Sequence, residues 1–192
     1  MKKIIAITAL FALSASFQSI ATTYTVDAFL NSTTGGTGIL ASVVNGQAFT
    51  VSVNPLDLWS AGALPRWSNA NGIGGNDLIA TGSPDANGDE PGVAAGTVIG
   101  QDIFGAWTQN GLSAPFGTLV GQFGLGSFFN IGTNYTGVAS DSTLKLFYFD
   151  SNNGDNAGSI LANITSVPEP EAYIMVLVGL GIMGVVARRR KL

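Results

Sequence analysis

Thr143-Leu144-Lys145-Leu146-Phe147-Tyr148-Phe149, followed at once by Asp150-Ser151-Asn152-Asn153-Gly154-Asp155-Asn156-Ala157-Gly158-Ser159, is the stretch on which the fold turns. Its first seven residues read as a strand, with Leu144, Leu146 and Tyr148 on one face and Lys145, Phe147 and Phe149 on the other. The residues after them are rich in Asn, Asp, Ser and Gly, which let a backbone turn and present its carbonyls. Asp150 is therefore expected to stand pinned at a strand end. Calcium takes roughly six to eight oxygens, a demand that Asp150, Asp155, Asn156 and one or two loop carbonyls largely meet. The same residue types are also those of an ordinary hairpin turn, so spacing alone leaves both readings open.

Outward from this stretch the chain repeats one theme. Short runs rich in Val, Ile, Phe, Thr and Leu are separated by Gly, Asn, Asp, Ser and Pro, without a helical period. Further strands are predicted at 24–30, 39–44, 48–53, 96–101, 118–122, 127–131 and 159–165, and in the third of these Phe49, Val51 and Val53 oppose Thr50 and Ser52. Eight short strands point to an all-β class, a single sandwich or barrel. The segment Asp57 to Gly92 departs from the theme: it carries Trp59, Trp67 and many Gly, Asn and Asp residues but little strand pattern. Two tryptophans argue that so long an irregular segment is ordered.

Charge and residue usage exclude several function classes. Residues 22–166 hold ten carboxylates against Arg66 and Lys145, a net of −8, whereas the whole chain carries −4. Such a surface repels phosphate backbones and attracts cations, so no nucleic-acid partner is expected. The chain has no Cys and no His, which removes thiolate chemistry, His-based triads and ordinary zinc or copper sites. Oxygen ligands remain. No G-x-S-x-G elbow or phosphate loop is present, and the chain is expected not to be an enzyme. Gly179-Leu180-Gly181-Ile182-Met183-Gly184 fits G-x-G-x-x-G but has no strand before it and no acidic residue after it. Asp85-Ala86-Asn87-Gly88-Asp89-Glu90 begins like an EF-hand loop, then places Glu90 where that loop needs Gly. It reads as a solvated turn or as a loop that orients a ligand beside a metal held elsewhere.

Both ends carry export signals. Lys2 and Lys3 precede the apolar stretch Ile4 to Leu13, and Ser19-Ile20-Ala21 supplies small residues for cleavage, so 1–21 is expected to be a signal peptide. One domain of 145 residues, 22–166, follows. The chain then reads Val167-Pro168-Glu169-Pro170-Glu171, an apolar run over 172–187, and a basic tail over 188–192 with Arg188, Arg189 and Arg190. A sixteen-residue helix spans about 24 Å, slightly under the ~30 Å hydrocarbon core, so 172–187 is expected to be a short transmembrane helix with the tail in the cytoplasm. This arrangement resembles the PEP-CTERM sorting signal. The resemblance implies an exosortase-type membrane protease as partner, an inner-membrane anchor before processing, and release to the cell surface or extracellular matrix.

A second resemblance concerns the domain. Pro115 to Gly124, Phe129-Asn130-Ile131-Gly132, Leu144 to Asp150 and Gly154 to Ser159 are similar to the galactophilic bacterial lectins of the PA-I type. That likeness implies a small galactose-binding-lectin-like β-sandwich in which calcium (Ca2+) bridges protein oxygens and sugar hydroxyls. It assigns Asp150, Asp155 and Asn156 as side-chain ligands, with carbonyls from the 151–154 loop, including Asn152 and Asn153, and from the turn at Ser60 and Ala61. It also implies that Asp85 and Asn87, together with Asp150 and Asn156, meet a saccharide or exopolysaccharide. The chain departs from that family in a loop two residues longer and in Asp155, which replaces an Asn. Ser83 and Ala86 stand where the lectins carry His and Gln. The expected function is a surface- or matrix-sorted calcium-binding carbohydrate-recognition module, and the alternative is a structural matrix protein that keeps the fold without the ligand.

Overall fold

A computed structural model describes residues 21–85, 87–102, 105–167 and 170–189. Residues 1–20 of the expected signal peptide, and Pro168, Glu169 and Arg190 of the sorting signal, lie outside the described residues. The chain divides into a β domain, Ser19–Val167, and a second unit that holds the C-terminal helix.

The domain is all-β. Its strands are β1 (Ala21–Asp27), β2 (Ile39–Ser42), β3 (Ala48–Ser52), β4 (Trp59–Ser60), β5 (Trp67–Ser68), β6 (Leu78–Ile79), β7 (Val98–Gly100), β8 (Ala106–Gln109), β9 (Leu112–Pro115), β10 (Thr118–Phe123), β11 (Phe129–Asn130), β12 (Asn134–Val138), β13 (Thr143–Phe149) and β14 (Ala157–Val167). One sheet runs β12-β3-β14-β4-β5 with β1 also paired to β14, and a second runs β11-β10-β13-β2. The pairs β6-β7 and β8-β9 stand apart from both.

Alternation along the strands explains how the two large sheets share a core. Val26 of β1, Phe49 and Val51 of β3, and Ile160, Ala162 and Ile164 of β14 form one buried cluster with Leu119 of β10 and Leu144, Leu146 and Tyr148 of β13. This is the face predicted for β13. Its other face is not left in water: Phe147 and Phe149 are buried with Val120 and Ala114, and Trp107, Leu112 and Phe128 pack against them. The β8-β9 hairpin supplies three of those residues, so β13 is covered on both sides and fixed as a central strand.

Strand ends differ from expectation where side chains cap the backbone. The first strand stops at Asp27 because its Oδ1 accepts the N–H groups of Phe29 and Leu30, at 2.9 and 2.7 Å, and turns the chain. Within the irregular segment, the two-residue strands β4 and β5 pair with each other, and β4 pairs with β14. Trp59 is fully buried there, donates its indole N–H to the Gly117 carbonyl at 2.8 Å, and packs edge-on against Tyr148 at 4.6 Å. Trp67 is also buried, in a separate cluster with Leu58, Ala80 and Ile99.

The second unit forms the helix α1 (Pro170–Arg189). Its described apolar side chains Val176, Leu177, Val178, Leu180, Ile182 and Met183 are all exposed. Among the described residues no helix is long and apolar enough to cross a membrane, so the expected span over 172–187 is not shown.

Candidate functional site

Asp150 follows β13 directly and is only 4 % exposed. Thr33 fixes it from both sides: the Asp150 N–H donates to Thr33 Oγ1 at 3.1 Å, and that hydroxyl donates to the Asp150 carbonyl at 2.9 Å. The carboxylate accepts the Ser151 N–H at 2.6 Å. Burial holds the Asp150 carboxyl above its ordinary range, and hydrogen bonds from Ser151, Asn152 and the Asn156 side chain partly oppose that rise. Asp155 raises it further. Tyr148, buried beneath, has its phenol pushed well above the usual value by burial and by the charges of Asp150 and Asp155.

Asn156 is anchored through one end of its amide. Its Nδ2 donates to the Ala28 carbonyl at 3.0 Å, while its Oδ1 is buried and has no hydrogen-bond partner. A buried acceptor left without a donor costs about 1–3 kcal/mol, and its position beside a buried carboxylate suits a cation. Asp155 is half-exposed and pairs with Arg66 at 3.1 Å. Gly62 permits this approach: at φ +126°, a Cβ there would lie 2.6 Å from Asp155 Oδ2.

Asp150 and Asp155 open on a cavity of about 200 Å³ that is lined also by Ala61, Arg66, Phe116, Ser151 and Asn152; Asn156 is not among its walls. The structure therefore brings Asp150, Asp155, Asn152 and Ala61 together. Asn153 turns aside, donating to the Phe29 carbonyl at 3.1 Å. Ser60 is buried, with its hydroxyl bonded to the Gly62 carbonyl. Arg66, Thr33 and Phe116 were not expected. Arg66 had a signal, as one of only two cations among ten carboxylates in the domain.

Asp85 and Asn87 are not brought to this cavity. Asp85 lines another, of about 300 Å³, with Leu56, Leu58, Leu78, Ile79 and Pro84 among its walls. Its carboxylate is taken up by backbone N–H groups, with Oδ2 accepting from Leu58 at 2.7 Å and Oδ1 from Gly88 and Asp89 at 2.8 Å. Asn87 Nδ2 donates to the carbonyl and hydroxyl of Ser159. The structure thus keeps Asp85 and Asn87 away from the Asp150 cavity: Asp85 ties the loop to itself and to Leu58, and Asn87 ties it to β14. A third cavity, of about 260 Å³, is lined by Trp67, Asn69, Asn71, Asn76, Asp77 and Gln101 among others, none of them an expected site residue.

Among the described residues, no three His, Cys, Asp or Glu side chains converge on one metal-sized point. The Asp150 cavity is lined by the carboxylates of Asp150 and Asp155, hard oxygen donors of the kind that calcium takes.

Residues 166–191 match the PEP-CTERM protein-sorting motif. The tail is thus a sorting signal of the kind carried by exported proteins. No curated protein matches the chain. A solved structure described as the EclA N-terminal domain, a PllA-like lectin, is similar to it at 19 % identity with a TM-score of 0.43, over 78 % of this chain and 98 % of that one.

Proposed function

We propose that this is an exported, non-enzymatic, calcium-dependent saccharide-binding module whose tail is handed to an exosortase-type membrane protease. Anchoring at the inner membrane before processing and release to the cell surface or matrix afterwards belong to the same proposal. The observation that carries the ligand reading is the buried, partnerless Oδ1 of Asn156 beside the buried Asp150 carboxylate. Asp150, Asp155 and Asn156 would hold the ion, with Ala61 and Asn152 contributing backbone oxygen. When bound, calcium supplies a Lewis-acidic centre for adjacent sugar hydroxyls. The chain's own residues then do the orienting: Thr33 fixes Asp150, Ala28 fixes Asn156, and Phe116 gives the cavity an apolar wall of the kind that a sugar ring covers.

The ion pair of Arg66 with Asp155 favours the second reading, a structural surface or matrix protein in which a guanidinium stands in for the metal. A glycan array on the full chain decides between them. The proposal expects binding with millimolar calcium, loss with chelator, and loss in Asp150→Ala. Binding to no saccharide under either condition leaves the structural reading. Binding that persists in chelator refutes the calcium-bridged mechanism.

A further inference from the structure

The irregular segment holds a second group of acids that the Asp150 cavity does not use. Asp57, just ahead of β4, is fully buried; its Oδ2 accepts the Leu161 N–H at 2.7 Å, and its Oδ1 has no partner. Asp89 Oδ2 accepts both the N–H and the hydroxyl of Ser159, at 2.6 and 2.9 Å. Asn87 donates to the same serine, and its Oδ1 is likewise buried without a partner. Asp57, Asn87 and Asp89 are thus moored to Ser159 and Leu161, two residues apart on β14. The charges of Asp85 and Asp89 both bear on the Asp57 carboxyl.

Two acceptors from different parts of the chain are therefore buried in one acidic neighbourhood with no donor for either. Asp85, whose oxygens take up backbone N–H groups, shapes the loop that delivers Asn87 and Asp89. We propose that Asp57 Oδ1, Asn87 Oδ1 and Asp89 form a second divalent-cation site, for a hard ion such as calcium, separate from the Asp150 cavity. The donors are two carboxylates and an amide oxygen, all hard. Water and carbonyls complete the roughly six to eight oxygens that calcium takes. The ion would tie the 85–89 loop and the chain ahead of β4 to β14, replacing two unsatisfied acceptors with ligand bonds.

Equilibrium dialysis of the chelated full chain against radiolabelled calcium at pH 7 tests this. The expected stoichiometry is two ions for the wild type, one for Asp57→Asn, one for Asp150→Ala and none for the double variant. Should Asp57→Asn fail to fold, as judged by circular dichroism, Asn87→Ala removes the other orphaned oxygen and is expected to bind one ion. One ion in the wild type that Asp57→Asn removes and Asp150→Ala keeps supports this site and overturns the Asp150 reading. One ion that only Asp150→Ala removes overturns the second site. Two ions in both Asp57→Asn and Asn87→Ala overturn it as well.

Discussion

The loop that leads into β14 and the segment from Asp57 to Glu90 draw on the same residues, Asp, Asn and Gly, yet only the first turns its carboxylates toward the Asp150 cavity. In the first, Asp150 and Asp155 face a cavity of about 200 Å³. In the second, the carboxylate of Asp85 and one oxygen each of Asp57 and Asp89 are taken by backbone N–H groups, and only the leftover oxygens remain for a ligand. Composition does not separate a loop that faces a cavity from one that braces a strand. An oxygen-by-oxygen account of donors does.

Trp59 is the residue most able to break that comparison, because it sits two residues after Asp57 and two before Ala61 and packs on Tyr148. Trp59→Ala is expected to cost about 3–5 kcal/mol in urea unfolding and to weaken ion binding in both regions. A loss below about 1 kcal/mol would mean that the two regions are braced independently.

Asp85→Ala comes next. It leaves the N–H groups of Leu58, Gly88 and Asp89 without their acceptor and is expected to cost about 3 kcal/mol, while the ion at Asp150 is kept. Loss of calcium-dependent saccharide binding in a folded Asp85→Ala protein would show that the loop contributes to the ligand after all.

How much of this was legible in the sequence varies along the chain for physical reasons. The predicted strand Thr143–Phe149 matches β13 at both ends because one apolar face and a second aromatic one fix its period. Ser159 to Thr165 lengthens to Ala157–Val167, since pairing with β1, β3 and β4 extends it beyond its own apolar pattern. The two-residue strands β4, β5 and β6 exist only through their pairing, β4 with β14 and β5, and β6 with β7, and no local period marks them. The β8-β9 hairpin did carry a signal: Asn110-Gly111, both at positive φ, is the two-residue turn that favours tight hairpins. Asp150 was legible as a strand-end acid. The partnerless Oδ1 of Asn156 was not, because it depends on the Ala28 carbonyl, 128 residues away. The same holds for Asp57, whose Oδ2 is held by the Leu161 N–H, 104 residues away.

Titration sharpens the comparison from the acid side. Burial pushes the Asp57 carboxyl up to about 6, and the charges of Asp85 and Asp89 add to that, while the hydrogen bond from Leu161 opposes it. A carboxyl whose folded pKa exceeds its unfolded value makes the native state bind more protons. Its stabilising contribution is therefore complete below about pH 4 and lost as pH rises through about 6. In chelator, Asp57 is expected to cost the native state on the order of 2–3 kcal/mol between those limits, and Asp150 acts in the same direction. Asp57→Asn should flatten most of that slope in melting temperature against pH. A slope unchanged in Asp57→Asn would assign the effect to Asp150.

Arg66 gives the smallest effect on stability and the most direct reading of the open site. Its ion pair with Asp155 joins side chains that are 37 % and 47 % exposed, so solvent screens it and the pair contributes about 0–1 kcal/mol. Arg66→Gln is therefore expected to shift urea unfolding by less than about 1 kcal/mol. The same guanidinium competes with any cation for Asp155, so its removal is expected to raise calcium affinity at this site several-fold, read by calorimetric titration in the Asp57→Asn background. The effect should shrink at high ionic strength, where a Coulombic competitor is screened whether or not it is present. Lower affinity in Arg66→Gln would reverse the argument: the arginine would then be holding Asp155 in its ligand position rather than occupying the metal's place.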